Sequence, residues 1–310
     1  MSEISPPVSV ESVELMNGSG IEFSFLGQTI SFNKGSFTAI LGQNGSGKTT
    51  LLEAVLGIRP EYTVRRSVLG SDILDLPINI KQRIGISTQV HSFAEGVKVR
   101  DVVKLHSGIY RKSQNDDLLA MFDLTKVMNS AYARTSGGQK KRLSLYFALA
   151  HDPDVAFLDE PEAGLDVQGL DALLEMVDGR SKANKTTIAA THHDMATDKA
   201  NDVVFLNSGE LAYTGQKSGF VIHFLGEKVL EVDVSELDIE QIEYLSGLGR
   251  AQCSSGVGTD KLLLFGNDTN FEKFGTDSTL EIEQRSILRK VRSSDIMAWI
   301  NARTTTQCSP

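Results

Sequence analysis

Two glycines, Gly42 and Gly47, enclose four residues and are followed at once by Lys48 and Thr49. This is the pattern of a phosphate cradle. Glycines tolerate positive φ and close approach, so successive backbone N–H groups can converge on phosphate oxygens, and a helix opening at Lys48 adds about half a positive charge at its N-terminus. Lys48 is expected to reach the β- and γ-phosphates, and Thr49 to offer its hydroxyl to Mg²⁺, a hard cation that takes oxygen ligands. The nucleotide-contacting set is therefore Gly42, Gln43, Asn44, Gly45, Ser46, Gly47, Lys48, Thr49 and Thr50. A loop of this kind serves kinases, GTPases and ATPases alike.

Other segments choose among them. The apolar run Val155-Ala156-Phe157-Leu158 ends on Asp159 and Glu160, and Thr135-Ser136-Gly137-Gly138-Gln139 opens a helix with Lys140, Lys141 and Arg142. An aspartate at the end of a buried strand can hold the Mg²⁺ shell, and the glutamate beside it can orient the attacking water or accept its proton. With both segments in this order, the sequence resembles the ABC-type ATPases over roughly residues 8 to 215. Ser136 to Gln139 are similar to that family's signature motif, departing at Thr135 where leucine is usual, and Asp159 and Glu160 are similar to its Walker B pair.

The resemblance carries further roles. Ser136, Gly137, Gly138 and Gln139 would complete a nucleotide site built on a second copy. Gln89 resembles the family's glutamine-loop residue, which contacts Mg²⁺ or water and moves with the membrane partner. Ala163-Gly164-Leu165-Asp166 resembles the loop that crosses between two nucleotide-bound subunits, with Asp166 as its polar contact. In Thr191-His192-His193-Asp194, His192 takes the place of the switch histidine, because the family's histidine directly follows the terminal serine or threonine of a strand. The expected catalytic residues are thus Glu160, His192 and Gln89, and the expected Mg²⁺ residues Thr49, Gln89 and Asp159. The family's adenine-stacking aromatic has no clear counterpart, since Phe23 and Phe25 read as alternating strand residues. Lys140, Lys141 and Arg142 read as a solvated helix face, with no nucleic-acid role.

The elements that must position these groups follow from the apolar pattern. Phe37–Leu41 runs as a strand into the glycine loop, and Ile84–Ile86, Val155–Leu158 and Thr187–Ala190 are short apolar runs bounded by polar turns, expected to be buried strands of a largely parallel sheet. Between Val99 and Ala133 the spacing becomes helical, which predicts an inserted helical lobe spanning about residues 91–134. After Gly215 the alternation of Leu230, Val232 and Val234 against Glu231 and Asp233 marks a half-buried strand. We expect a helix near Leu237 to Leu245, a hairpin leading into Lys261 to Phe265, a short helix near Phe271, a strand at Leu280 to Ile287 and a last helix from Ser294, the order of a split β-α-β unit. The expected fold is an α/β P-loop NTPase core of the ABC ATPase kind over residues 1–215, with an inserted helical subdomain, and a small α+β accessory domain over 216–310.

The balance of 31 basic and 40 acidic residues, a formal charge of -9, opposes general attraction to nucleic acid. Cys253 and Cys308 lack metal or disulfide spacing. No apolar run reaches the ~20 residues needed to span a bilayer. The resemblance therefore implies an ATP- and Mg²⁺-dependent subunit that pairs with a second copy and drives export through a separate transmembrane permease, peripheral on the cytoplasmic face of the membrane. Export rests on a looser likeness of Leu288-Arg289-Lys290-Val291-Arg292-Ser293-Ser294-Asp295-Ile296 to the end of ABC-2 type exporter ATPases. A soluble ABC ATPase acting on a macromolecular assembly is the alternative.

Overall fold

The computed structural model describes residues 8–17, 20–25, 30–58, 62–70, 72–87, 93–94, 96–233, 250–256, 259–266 and 286–302. It divides into two compact units, Met1–Thr214 and Gly215–Pro310.

The first unit holds two sheets. The smaller is antiparallel and formed by β1 (Val8–Asn17), β2 (Gly20–Phe25), β3 (Ile30–Phe32) and β5 (Tyr62–Val68), with β1 pairing all three others. The larger contains β4 (Phe37–Leu41), β6 (Ile84–Ser87), β7 (Val155–Asp159), β8 (Thr186–Ala190), β9 (Asp202–Asn207) and β10 (Glu210–Gln216), in the order β10-β9-β4-β8-β7-β6. The β4–β8, β4–β9, β6–β7 and β7–β8 pairs are parallel. Every residue of β4, β7 and β8 is buried, as expected of parallel strands covered on both faces. β4 leads directly to the glycine loop, and its neighbour β8 leads to Thr191 and His192. β7, beside β8, ends on Asp159. The parallel register thus brings three strand ends carrying the candidate chemistry to one edge of the sheet, where α/β folds place their ligands.

Helices flank this sheet: α1 (Lys48–Leu56), the short α2 (Ile78–Lys81), α3 (Val99–Tyr110), α4 (Asp116–Met121), α5 (Gly137–Leu149), α6 (Val167–Lys182) and α7 (Asp194–Lys199). Ile40, Leu51, Leu52, Val55, Phe157, Ile188 and Val204 form the centre of one apolar cluster between α1 and the sheet. α3 and α4 fall in the stretch read as a helical lobe, closed by a bridge between Lys98 and Ala131. His106 of α3 bonds the carbonyl of Phe147 on α5 at 2.8 Å, and Tyr110 stacks on His151 at 3.8 Å between ring centres. Val99, at the start of α3, is fully buried and serves core packing.

The second unit contains α8 (Lys217–Phe224), β11 (Lys228–Asp233), β12 (Arg250–Gly256), β13 (Thr259–Gly266), β14 (Ser286–Lys290) and α9 (Ser293–Ala302). Its strand order β12-β13-β11-β14, with antiparallel neighbours throughout, places the unit's first and third strands centrally and its second and fourth at the edges. That is the arrangement of a split β-α-β unit. β12 and β13 form the expected hairpin, while the last strand runs to Lys290, further than its apolar run suggests. Arg289 explains the extension: its guanidinium donates to both carboxylate oxygens of Asp295 at 2.6 and 2.8 Å and to Glu231 at 3.2 Å, tying β14 to β11 and to α9. The helices expected near Leu237 to Leu245 and near Phe271, and residues 280–285 of the expected strand, lie outside the described residues. Among the described residues no helix is long and apolar enough to cross a membrane.

Candidate functional site: a phosphate loop facing a carboxylate cluster

The glycine loop is shaped by its backbone. Gly42, Gly45 and Gly47 have φ of 153°, 79° and 98°. A Cβ on Gly42 would meet Ser46 Oγ at 2.3 Å and Leu206 O at 2.5 Å, so a side chain there cannot coexist with the packing of the loop against β9. Gly47, in the left-handed region, caps α1. Lys48 Nζ donates to the carbonyls of Gly42 and Gln43, both at 2.9 Å, holding the loop in an arch. Burial lowers the Lys48 ammonium below the ordinary lysine value, against the upward pull of Glu160, Asp159 and Glu162. A phosphate oxygen arriving at the loop meets a cation already stripped of water, which strengthens the pairing. Asn44 and Gly45 are exposed at the tip, Gln43, Thr49 and Thr50 half-buried, and Ser46 buried.

Opposite stands Asp159. Thr49 Oγ1 lies 3.2 and 3.3 Å from its two carboxylate oxygens. Burial raises the Asp159 carboxyl above the usual aspartate value, with Lys141 and the Thr49 hydroxyl pulling it back. A hydroxyl and a desolvated carboxylate side by side are a hard-oxygen donor set, and a divalent cation there would offset the charge that burial penalises. This pair fits Mg²⁺.

Glu160 turns the chain with φ of 46°, its backbone N–H donating to Ala190 O at 2.8 Å, so β7 and β8 are locked together where the chemistry begins. A non-glycine residue with positive φ is uncommon and clusters at functional sites. His192 Nδ1 lies 4.0 Å from Glu160 Oε1 and 3.6 Å from Glu162 Oε1. His193, the competing histidine, is engaged otherwise: its Nδ1 accepts from Met195 N at 3.3 Å as the N-cap of α7.

Ser136 is the N-cap of α5 in a reciprocal capping box with Gln139, at 3.2 and 2.9 Å, and it and Gly137 are exposed. Gly137, Gly138, Lys140, Lys141, Glu160, Ala163 and Gly164 line an open cleft of about 400 Å³. Asp166 caps α6, its Oδ1 accepting from Gly169 N at 2.8 Å, and remains exposed. Gln89 lies outside the described residues.

Two residues escaped the sequence reading. Lys141 belongs to no solvated face: its ammonium donates to the Asp159 carbonyl, and burial lowers it below the ordinary lysine value while Asp159, Glu160 and Glu162 pull it up. Helical spacing from Ser136 could have placed it on the inner face, but its partner is known only from the packing of α5 against β7. Glu162 is buried, accepting from Thr191 Oγ1 at 2.8 Å and from His192 N at 3.2 Å. Its proximity to Asp159 and Glu160 was the available signal.

Comparison with known proteins adds the decisive observation. A family model described as ABC transporter matches residues 27–163, from before the glycine loop to beyond the carboxylate pair. Over that stretch the chain is similar to the ATPase domain of the ABC transporter family. It is 27% identical over 195 residues to the ABC transporter ATP-binding protein NatA of Bacillus subtilis, covering 60% of this chain and 79% of that protein. It is 28% identical to the Nod factor export ATP-binding protein I of Burkholderia orbicola, covering 73% of this chain and 76% of that one. A sulfate/thiosulfate import ATP-binding protein of Mycobacterium tuberculosis is 32% identical over 62% of this chain and 59% of its own length. Among solved structures, an ATP-binding subunit of an ABC transporter superposes with a TM-score of 0.62 at 20% identity, over 70% of this chain and 92% of that one. A dimeric ATP-binding cassette in a post-hydrolysis state with ADP and Pi superposes with a TM-score of 0.57 at 20% identity, over 68% and 98%. Both structural likenesses establish the fold of the ABC ATPase core.

Proposed function

We propose that this ABC ATPase closes with a second copy around two ATP molecules and uses their hydrolysis to drive export through a separate transmembrane permease. The observation that carries the first part is the distribution of the motifs. Lys48, Thr49, Asp159, Glu160 and His192 gather around the ends of three adjacent strands, whereas Ser136 and Gly137 are exposed at the start of α5. A γ-phosphate held by Lys48 of one copy and by the Ser136–Gly138 turn of the other makes ATP the cement between them, and its hydrolysis removes the bridging group. A two-fold pair gives each site both halves.

In the site so formed, Lys48 and the loop N–H groups neutralise the phosphates, Glu160 orients the water and accepts its proton, and His192 contacts the γ-phosphate. Mg²⁺, held by Thr49 and Asp159, would supply charge neutralisation of the phosphate oxygens. Gln89 would assist at the metal or water, and Asp166 would make the polar contact between copies. Support for export comes from the second unit, whose sheet is of the split β-α-β kind, and from the Nod factor export relative, whose match extends over 73% of this chain. A sulfate/thiosulfate importer is also among the relatives. We place the pair on the cytoplasmic face of the membrane.

Glu160→Gln tests the pairing, since it slows hydrolysis without removing the phosphate contacts. The variant with ATP should elute as a dimer in size-exclusion chromatography and return to monomer in the Lys48→Ala background; a monomer at every concentration would sink the proposal. For the permease, affinity capture of the protein from detergent extracts of its native membranes should bring down a polypeptide with several apolar spans.

A further inference from the structure

The buried carboxylate of Glu162 has a use that the machinery above leaves unassigned. Glu162 follows the carboxylate pair by a single proline, and the turn carries it inward instead of into solvent. One of its oxygens, Oε1, receives two donors from the adjoining loop: the Thr191 hydroxyl at 2.8 Å and the backbone N–H of His192 at 3.2 Å. The other, Oε2, is buried and has no hydrogen-bond partner among the described residues. A buried carboxylate oxygen without a partner is costly, and a fold that needed only packing here would be better served by an apolar group. Thr191 is itself fully buried, so the pair of bonds cannot be replaced by water from outside. The imidazole lies over the same oxygen, with Nδ1 at 3.6 Å from Glu162 and 4.0 Å from Glu160. Nδ1 is thus the ring nitrogen that comes within 4.0 Å of both carboxylates.

We propose that Glu162 is a positioning residue for His192: it clamps the loop after β8 to the turn after β7, and so sets which nitrogen of the imidazole faces the nucleotide. This rests on the reading of His192 as the group that contacts the γ-phosphate. The clamp links the same two strand ends that Glu160 N and Ala190 O join through the backbone, but acts at the side chain that does the work.

The test is a kinetic cycle with ATP on the full-length protein. Glu162→Ala removes the acceptor and should lower kcat about tenfold or more, as small misplacements of catalytic groups do, while KM for ATP changes little. Glu162→Gln keeps an acceptor at Oε1 for both donors and should recover most of that loss. Combined with His192→Ala, Glu162→Ala should cause no further loss, because the two act as a unit. Thr191→Val, which deletes one donor at nearly constant volume, should also lower kcat selectively and gives a readout if Glu162→Ala does not fold. Multiplicative losses in the double variant, or a full kcat in Glu162→Ala or in Thr191→Val, overturn the inference. If His192→Ala itself turns over normally, the reading of His192 falls and this inference with it; a defective His192→Ala beside an unaffected Glu162→Ala overturns the inference alone.

Discussion

Asp159 illustrates a conflict between stability and chemistry within one side chain. Its folded carboxyl sits above the usual aspartate value because burial penalises the charge. The sign follows directly: with the folded value raised, the ionised group destabilises the protein, and stability is gained as pH falls through the raised value. Asp159→Asn removes that burden and keeps an oxygen for the Thr49 hydroxyl. The variant should unfold at the same temperature or higher by calorimetry, while Mg²⁺-dependent ATP turnover falls by about a hundredfold or more, the scale of losing one preorganised charge-stabilising group. A variant that loses stability and turnover together would mean that Asp159 is chiefly structural.

At the scale of elements, α5 is held in place by close backbone contact and by charge. A Cβ on Gly164 would stand 2.8 Å from Gly138 Cα, at a φ of 79°, whereas a Cβ on Gly138 would find its nearest neighbour at 3.6 Å. Gly164→Ala should therefore cost about 1–3 kcal/mol by denaturant unfolding, from strain and displacement of the turn. Gly138→Ala should leave stability within about 0.5 kcal/mol and act, if at all, on ATP-dependent pairing.

The contact between α3 and α5 predicts a pH response. Burial lowers His151 to about 4, and His106 is lowered for the same reason. Both are kept neutral in the fold, so their contribution is fully present above the ordinary histidine value near 6.5 and is lost as pH falls toward the folded values. For His151 the loss between about pH 6.5 and 4 is on the order of 3 kcal/mol. Urea midpoints should drop steeply over that window, and less steeply in His151→Phe, whose ring can keep the stack on Tyr110.

For the whole molecule, each unit owns a core. The second is built on Phe220, Val229, Val232, Leu262, Leu264 and Trp299, and its Trp299 is the only tryptophan of the chain. The proposed ATP site lies in the first unit, and a ligand stabilises only what must unfold to release it. Mg²⁺-ATP should thus raise the midpoint of the circular-dichroism transition dominated by the first unit and leave the Trp299 fluorescence transition in place. A fluorescence midpoint that moves with nucleotide would show that the two units unfold as one.

Much of the first unit was legible beforehand, because its signals are local. Strand β4 and the start of α1 fall where the apolar run and the glycine loop put them, since a phosphate cradle requires a strand before it and a helix after it. Ser136 and Gln139 announce their capping box three residues apart. The ladder partners of β4, by contrast, are β8 and β9, more than 140 residues away in the chain, and no periodicity encodes that adjacency. Arg289 shows the same limit in the second unit: its charge is plain in the sequence, but its grip on Asp295 and Glu231 depends on β14 lying beside β11.

By itself, then, the chain's order of residues determined the class of chemistry, because phosphate binding, water activation and helix capping each demand particular groups within a few positions of one another. What only the tertiary structure decided is which groups meet across strands: that Lys141 faces Asp159 instead of solvent, that His193 is spent on capping α7 while His192 faces two carboxylates, and that Glu162 lies buried against Thr191. The Glu162–Thr191 contact follows from the parallel pairing of β7 with β8, and that of Lys141 from the packing of α5 against β7, while the His193 cap is local and leaves His192 to the carboxylates.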